Sequence, residues 1–450
     1  MPTPFADAVR AVLAFTPTAF SALGTHVKEE WFYEALAAHR DPAAQAAMRR
    51  RKLPLDLALW LVIGMALFRD RSIHAVVEHL GLAIAPSGRH GGVAPSAVPP
   101  ARVRLGSEPV KRLFELTAQR WGLDEADKDR WRDLALFGFD GTCLRIADTA
   151  ENEAAFGRPR TGRAESGYPQ IRLVSLMALR SHIIAAMNVG GFRTGEMTLV
   201  DPLWAKLPDR SLTIVDRGFL SWWPLLRLHT TGSDRHWLTR AKAGLVWREM
   251  KKLGPGDALV EITASRHLRR KHPDMPETFT ARVINYQRKG YRPQKLITSM
   301  IDPEKYPRRE IATLYHERWE LELGYDEIKT HMLEREESLR SRKPDGVLQE
   351  IAGIGIGYNL VRVEMARIAQ ESDISPTRIS FRSAVLLIRN FCVSAWTLSP
   401  GTIPRRLGSF DDDLRLLLLP PRRPERVYKR HVKIKMSGYA RNAGKPAWSA

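Results

Sequence analysis

Cysteine is scarce in this sequence, which has two, Cys143 and Cys392, among 450 residues. Two thiols are too few for a cysteine-rich zinc site or a disulfide framework, and they fit a reducing cytosol. Acidic residues are also too few to balance the basic ones, since 50 Asp and Glu face 70 Lys and Arg, giving a formal net charge of +20. Because Lys and Arg gain affinity by displacing counterions from phosphates, nucleic acid is the first partner to expect.

Long apolar runs are missing as well. The most apolar stretch, residues 53–68, contains Pro54 and Asp56, so its uncharged part covers only residues 57–68. A helix needs about 20 apolar residues to cross a bilayer, and we therefore expect a buried helix here and no membrane partner. The N-terminus has no basic segment followed by an apolar stretch, so we expect no signal peptide.

One segment, residues 306–332, combines charged and apolar residues at helical spacing. It reads YPRREIATLYHERWELELGYDEIKTHM, with Pro307 suited to a first helical position. At about 100° per residue, one narrow stripe of the predicted helix carries Tyr315, Arg318, Glu322 and Lys329. An apolar stripe beside it would face a core. From the residues alone, this is either an amphipathic helix with a salt-bridged face or a helix that presents an acid flanked by cations.

Two aspartates lie in segments that the pattern predicts to be strands. Residues 134–146 form a mostly apolar run that carries Asp140, and residues 211–218 contain a β-branched run that ends in Asp216, where a helix begins. A lone Asp is costly to bury unless it is paired, hydrogen-bonded or bound to metal. Open α/β sheets bind ligands at the carboxyl ends of their strands. The plainer interpretations are a turn for Asp140, and a turn or helix cap for Asp216.

The spacing Y-x2-R-x3-E-x6-K in residues 315–329 resembles the signature of the insertion-element-four family of DDE transposases, which are bacterial cut-and-paste enzymes. The resemblance implies that Glu322 is the last acid of a catalytic triad with Asp140 and Asp216. It implies that the other three residues of the motif handle DNA phosphates near this acid. The implied reaction is strand nicking at an element end, then attack of the freed 3′-OH on the opposite strand or on target DNA.

The expected fold class is α/β (α+β). Three strands, a helix, a strand, a helix and a strand are the order expected of a ribonuclease-H-like domain. We expect a helical DNA-binding domain at 1–123, the ribonuclease-H-like catalytic domain at 124–335 and a helical C-terminal region with a basic tail at 336–450. The 105 residues between the second and third acids are too many for a simple connection, so we expect a β-rich insertion at about 243–302.

The basic run Arg49, Arg50 and Arg51 in the N-terminal part is a candidate DNA contact. In the family that this sequence resembles, the N-terminal domain binds the terminal repeats of the element. The same run equally fits a solvated helix end.

Three carboxylates from two strands and a helix make a hard-oxygen site suited to Mg²⁺ or Mn²⁺, and we expect two such ions. The expected partners are double-stranded DNA, as terminal inverted repeats and as target, and a second copy of the chain in a homodimeric DNA complex. The expected location is the bacterial cytoplasm, on the nucleoid. The alternatives are a ribonuclease-H-like nuclease without transposition, and a domesticated DNA-binding protein with a decayed site.

Overall fold

The computed structural model of the protein describes residues 16–39, 53–82, 93–159, 167–287, 293–334 and 338–420. The candidate DNA contacts Arg49, Arg50 and Arg51 lie outside these described residues, as does the basic tail from residue 421 onwards.

The N-terminal part is helical, as predicted. Its helices are α1 (Ser21–Gly24), α2 (Glu29–Ala37), α3 (Leu55–Leu67), α4 (Ile73–His79), α5 (Val98–Leu105) and α6 (Glu108–Lys128). The most apolar run forms α3 and is buried, with Trp60 packed against Phe20 and Phe32 at ring centroid distances of 4.9 Å and 5.6 Å. Gly106 separates α5 from α6 at a φ of 67°, a conformation that glycine adopts readily.

The centre of the molecule is one mixed β-sheet. Its strands are β1 (Ala135–Ile146), β2 (Gln170–Ala178), β3 (Ile184–Gly191), β4 (Ser211–Val215), β5 (Arg235–Arg240), β6 (Arg248–Gly254), β7 (Asp257–Thr263), β8 (Thr278–Tyr286), β9 (Gln294–Thr298) and β10 (Ser338–Leu339). They lie in the order β3-β2-β1-β4-β5-β9-β8-β7-β6, with β10 paired to the end of β1. Strands β1, β2 and β3 are antiparallel, whereas β1, β4 and β5 are parallel.

Short helices connect these strands. They are α7 (Ala150–Phe156), α8 (Glu196–Val200), α9 (Trp222–Thr230) and α10 (Arg266–Lys271). The predicted order of three strands, a helix, a strand, a helix and a strand is confirmed, and the fold is ribonuclease-H-like. The polar segment before β2 also contains α7, which the sequence did not predict.

The insertion is β-rich, as predicted, and it continues the central sheet. Strand β9 pairs antiparallel with β5, with Leu238 opposite Thr298, and β8, β7 and β6 follow outwards. The insertion therefore hydrogen-bonds to β5, the strand next to the one that ends at Asp216.

The segment predicted as one uniform α-helix has three helical geometries, so the uniform prediction is wrong. It consists of α11 (Arg308–Leu314), a 3₁₀ turn (Tyr315–Arg318), α12 (Trp319–Asp326) and a π-helical turn (Glu327–Met332). Residues three apart eclipse one another in a 3₁₀ helix, so the turn brings Tyr315 and Arg318 onto the same face. Both breaks flank α12, which carries Glu322.

The C-terminal part is helical, as predicted, with α13 (Pro344–Glu371), α14 (Phe381–Ala395) and α15 (Ile403–Arg415). Helix α13 packs against α3 and α6. Apolar side chains from the N-terminal helices, one face of the sheet and the C-terminal helices form one continuous core. Among the described residues, no helix is both long enough and apolar enough to span a membrane.

A buried ionic cluster joins the π-helical turn to α13. Glu327 accepts hydrogen bonds from Nε of Arg362 at 3.0 Å and from the hydroxyl of Tyr358 at 2.9 Å. His182, in the turn between β2 and β3, lies 3.4 Å from the same carboxylate, and its other ring nitrogen lies 2.7 Å from Glu320. Burial alone would raise the pKa of Glu327, but the charges of Arg362 and His182 outweigh it and lower this pKa to about 2.

The cluster predicts a loss of stability in acid. Because the pKa of Glu327 is lowered in the folded protein, its contribution is complete above pH 4.5 and disappears as the pH falls towards 2. Glu327→Gln should lower the free energy of unfolding by about 3–5 kcal/mol at pH 7, since it leaves Arg362 buried and unpaired. It should also weaken the acid dependence. Urea unfolding at pH 7 and pH 3 measures both effects.

Glu371→Gln is the control, because Glu371 is 42% exposed in its pairs with Arg367 and Arg415. Exposed pairs contribute about 0–1 kcal/mol. Equal losses in the two variants would contradict a stabilising role for the buried cluster.

Candidate active site

The sheet brings the two predicted aspartates to neighbouring positions. The last registered pair between the parallel strands β1 and β4 is Phe139 with Val215. Asp140 and Asp216 each follow this pair by one residue, on strands that lie about 4.8 Å apart. Asp140 lies inside β1, so it is not a turn residue, and Asp216 makes no capping hydrogen bond to the short helix that follows it.

The same face of the sheet carries both aspartates. Side chains alternate between the two faces of a strand, so Asp140 shares a face with Gly138, and Asp216 shares one with Ile214. A Cβ atom built on Gly138 would lie 2.8 Å from Cδ1 of Leu321 on α12. The two aspartates therefore project from the face that α12 covers.

Helix α12 adds Glu322 to this face, paired with an arginine. Nη2 of Arg318 donates to Oε1 of Glu322 at 2.9 Å, and the charge of Arg318 also acts on Asp140 and Asp216. Glu322 is 42% exposed in this pair, whereas Arg318 is 15% exposed. The salt-bridged face that the sequence allowed is thus present, next to the two aspartates.

Asp140 lies in an environment that disfavours its charge. Burial is the main reason that the pKa of Asp140 is raised to about 6, with smaller contributions from Glu322 and Glu196. The backbone N–H of Gly141, which donates to Oδ1 of Asp140 at 2.8 Å, and the charge of Arg318 act in the opposite direction. Among the described residues, no cation forms a salt bridge with Asp140.

The structure adds a carboxylate that sequence reasoning missed. Glu196, at the start of α8, lies so close to β1 that a Cβ atom on Gly141 would be 2.9 Å from its carboxyl carbon. The Asp140-Gly141 pair is apparent in the sequence. Nothing in the local sequence, however, indicates that an acid from another element fills the space over Gly141.

The other residues of the motif are at different depths. Tyr315 is buried at 7% exposure, and its burial, together with the charge of Asp216, raises the pKa of its hydroxyl to about 12. The hydroxyl therefore stays protonated and can donate a hydrogen bond. Lys329 is exposed in the π-helical turn and forms no ion pair with any described acid. It lines the same cavity as Tyr325 and Thr142, and Thr142 is part of the strand that carries Asp140.

Among the described residues, there is no group of three or more His, Cys, Asp or Glu side chains that is already arranged to hold a metal ion. Glu322 is directed towards Arg318 instead. The arrangement still defines a class of protein: a ribonuclease-H-like sheet with acids on two adjacent parallel strands and a glutamate on the helix that covers them.

Comparisons with known proteins identify the family within this class. The family description "Insertion element 4 transposase N-terminal" matches residues 17–115, and "Transposase DDE domain" matches residues 132–360. The transposase InsG for insertion sequence element IS4 of Escherichia coli (strain K12) is 36% identical over 414 residues, or 92% of each chain. The putative transposase InsZ of the same strain is 35% identical over 239 residues, covering 53% of this chain and 77% of that protein.

The chain therefore belongs to the insertion-element-four family of DDE transposases. It is a transposase, an enzyme that cleaves DNA and transfers its strands, and enzymes with this domain use divalent metal ions. The comparisons favour neither alternative, a nuclease without transposition or a DNA-binding protein with a decayed site.

The close approach of α12 to β1 gives a testable prediction. In Gly138→Ala the new methyl group would lie 2.8 Å from the carbonyl oxygen of Ile214 and 2.8 Å from Cδ1 of Leu321, so the backbone of β4 and the Leu321 side chain of α12 must shift. We expect a loss of about 1–3 kcal/mol in stability, typical of an overpacked core, and a larger fractional loss of DNA cleavage. Thermal unfolding and a plasmid cleavage assay measure the two effects.

Gly218→Ala is the matched control, because no atom lies within 4 Å of the Cβ position at Gly218. This variant should retain stability and cleavage. Normal cleavage in Gly138→Ala would show that the spacing between α12 and β1 does not set the active-site geometry.

Proposed function

We propose that Asp140, Asp216 and Glu322 are the catalytic acids of a cut-and-paste transposition reaction. The observation that carries the proposal is the register of β1 and β4, which places the two aspartates side by side under the helix that bears Glu322. The DNA strand at an element end is nicked there, and the freed 3′-OH then attacks the opposite strand or the target DNA.

The side chains present fit a divalent cation. All three acids offer carboxylate oxygens, which are the donors that Mg²⁺ and Mn²⁺ prefer. Asp140 is half-buried and has no ion-pair partner among the described residues, so a cation would compensate for a charge that is otherwise costly to bury. Two bound Mg²⁺ or Mn²⁺ ions would activate the attacking oxygen and stabilise the leaving oxygen of an in-line displacement.

Arg318 holds Glu322 until DNA arrives. Pairs four residues apart on a helix surface contribute about 0.3–0.5 kcal/mol, so Arg318 can exchange the carboxylate for a phosphate oxygen at little cost. The exchange frees Glu322 to act with the aspartates, while the guanidinium orients the DNA backbone through charge-assisted hydrogen bonds. Tyr315 donates from the buried side of the site, and Lys329 contributes a charge from the exposed side.

The proposed partners are double-stranded DNA, as terminal inverted repeats and as target, and a second copy of the chain. The N-terminal domain, with Arg49, Arg50 and Arg51, would bind the repeats. The complex would act as a homodimer on the nucleoid in the bacterial cytoplasm.

Removing any one of the three carboxylate charges should abolish cleavage and preserve DNA binding. Asp140→Asn, Asp216→Asn and Glu322→Gln keep the side-chain shape but remove an anionic oxygen donor. We expect cleavage of terminal-repeat DNA in Mg²⁺ to fall by more than the roughly 100-fold that the loss of an outer-shell partner can cause. Binding of the same DNA in Ca²⁺ should remain.

Asp326→Asn is the control on the same helix, since Asp326 is exposed and accepts a hydrogen bond from Thr330. Near-normal cleavage by Glu322→Gln would refute its assignment as the third acid. Nicked products from the unaltered protein without any joined products would instead indicate a nuclease.

The proposed phosphate contacts predict a change in salt dependence. DNA affinity of the unaltered protein should fall steeply with salt, because a chain of net charge +20 displaces many counterions. Arg318→Ala and Lys329→Ala should each weaken binding and reduce the slope of log affinity against log salt by about 1. Titrations of fluorescent terminal-repeat DNA between low and moderate salt give these slopes.

Arg415→Ala is the comparison variant, because Arg415 is 39% exposed but already pairs with Glu371 and Asp412. Its slope should match that of the unaltered protein. Unchanged slopes for both Arg318→Ala and Lys329→Ala would remove them from the set of phosphate contacts.

A further inference from the structure

Tyr325 connects the helix that carries Glu322 to the strand that carries Asp140. Its hydroxyl donates to the backbone carbonyl of Asp140 at 2.8 Å and lies 2.7 Å from Oγ of Ser175. Ser175 is the residue of β2 directly opposite Asp140. Ser175 is fully buried, and Tyr325 is 5% exposed.

The direction of both hydrogen bonds follows from the number of protons. A carbonyl oxygen can only accept, so Tyr325 donates its single hydroxyl proton to the backbone carbonyl of Asp140. Ser175 must therefore donate its own proton to the oxygen of Tyr325. The chain Ser175 to Tyr325 to Asp140 has one fixed direction, and each donor in it has one acceptor.

The packing on either side of Tyr325 leaves the helix little room to move. Leu321 lies against Gly138, and a Cβ atom on Gly324 would lie 2.6 Å from Cε of Met177 on β2. Four helical residues span about 6 Å, and two strand residues span about 6.6 Å. The contacts of Leu321 with Gly138 and of Tyr325 with Asp140 therefore match in spacing along the two elements, and Glu322 lies between them.

We propose that Tyr325, held by Ser175, is a positioning residue for the metal site, fixing the distance between Asp140 and Glu322. The proposal rests on the proposed roles of these two acids. Tyr325 acts through the backbone of Asp140 and contacts no reacting atom. Without its hydroxyl, the carbonyl of Asp140 and the hydroxyl of Ser175 both lose a partner, and α12 loses its direct hydrogen bond to β1.

The test is Tyr325→Phe, which removes the hydroxyl and keeps the ring. Free Mn²⁺, measured by electron paramagnetic resonance during titration of the protein bound to terminal-repeat DNA, gives metal affinity independently of turnover. We expect Mn²⁺ affinity to fall about 10-fold, the size expected for loss of an outer-shell partner. The Mg²⁺ concentration that gives half-maximal cleavage should rise by a similar factor, and DNA affinity in Ca²⁺ should stay unchanged.

Tyr306→Phe is the matched control. The hydroxyl of Tyr306 is also buried, and it hydrogen-bonds to Nε2 of His236 at 3.2 Å. His236 lies near the start of β5, at the amino end of the parallel strands, whereas Asp140 and Asp216 lie at their carboxyl end. Tyr306→Phe should change stability without changing Mn²⁺ affinity. Equal Mn²⁺ affinity in the two variants would show that Tyr325 is only a structural residue and overturn the proposal.

Ser175→Ala provides a second route if Tyr325→Phe folds poorly. It removes the donor to Tyr325 but leaves the bond to Asp140, so its effect on Mn²⁺ affinity should be smaller. In the Tyr325→Phe background it should add little, because both changes act through one chain of hydrogen bonds. Independent, additive effects would contradict the proposed chain.

Asp140→Asn separates this proposal from the proposed function. If it loses Mn²⁺ affinity while Tyr325→Phe keeps it, the positioning role fails and the catalytic assignment stands. If Asp140→Asn binds Mn²⁺ and cleaves DNA like the unaltered protein, the catalytic assignment itself fails.

Discussion

The structure depends on the close packing of α12 against strands β1 and β2. Glycines allow this approach from both sides: Gly138 leaves space for Leu321, and Gly324 leaves space for Met177. Protein cores are packed as densely as organic crystals, so a helix in such contact has few alternative positions. The position of Glu322 relative to the two aspartates is therefore set by packing across the sheet, although these acids are far apart in the sequence.

Packing brings several carboxylates close together, and their negative charges repel one another. Burial raises the pKa of Asp140 to about 6, and the nearby carboxylates of Glu322 and Glu196 add to this effect. Arg318 relieves part of the repulsion through its pair with Glu322 and its charge near Asp216. A cation close to such acids offsets their mutual repulsion. Under the proposed function, that cation is the arginine before DNA binds and divalent metal afterwards.

The rest of the chain supports this site by rigid connections. The insertion adds strands to the same sheet through β9 and β5, and the N-terminal and C-terminal helices share one core with the face that bears the aspartates. At the C-terminal end of α12, Arg362 and His182 fix Glu327 at the π-helical turn. Buried pairs of this kind hold a defined geometry because breaking one leaves an uncompensated charge.

The local sequence predicted the elements that carry the three acids. Apolar and β-branched runs located the strands of Asp140 and Asp216, and the spacing from Tyr315 to Lys329 located the helix and the family. These features depend on residues near one another in the chain, where the periodicity of side chains reports the type of element. The prediction of a uniform helix failed because the 3₁₀ and π-helical turns around α12 break the single period on which it relied.

Tertiary structure alone decided which distant residues complete the site. Three contacts depend on how the elements pack. Glu196 lies over Gly141, and Tyr325 lies between Asp140 and Ser175. Arg318, which pairs with Glu322, also interacts with the charge of Asp216. No local pattern encodes such contacts, because the sequence around a buried tyrosine or a short-helix glutamate looks the same whether or not its side chain meets a strand that bears one of the aspartates. The sequence determined the kinds of elements and the chemistry of their acids, and the packing of helix on sheet determined the distances between them.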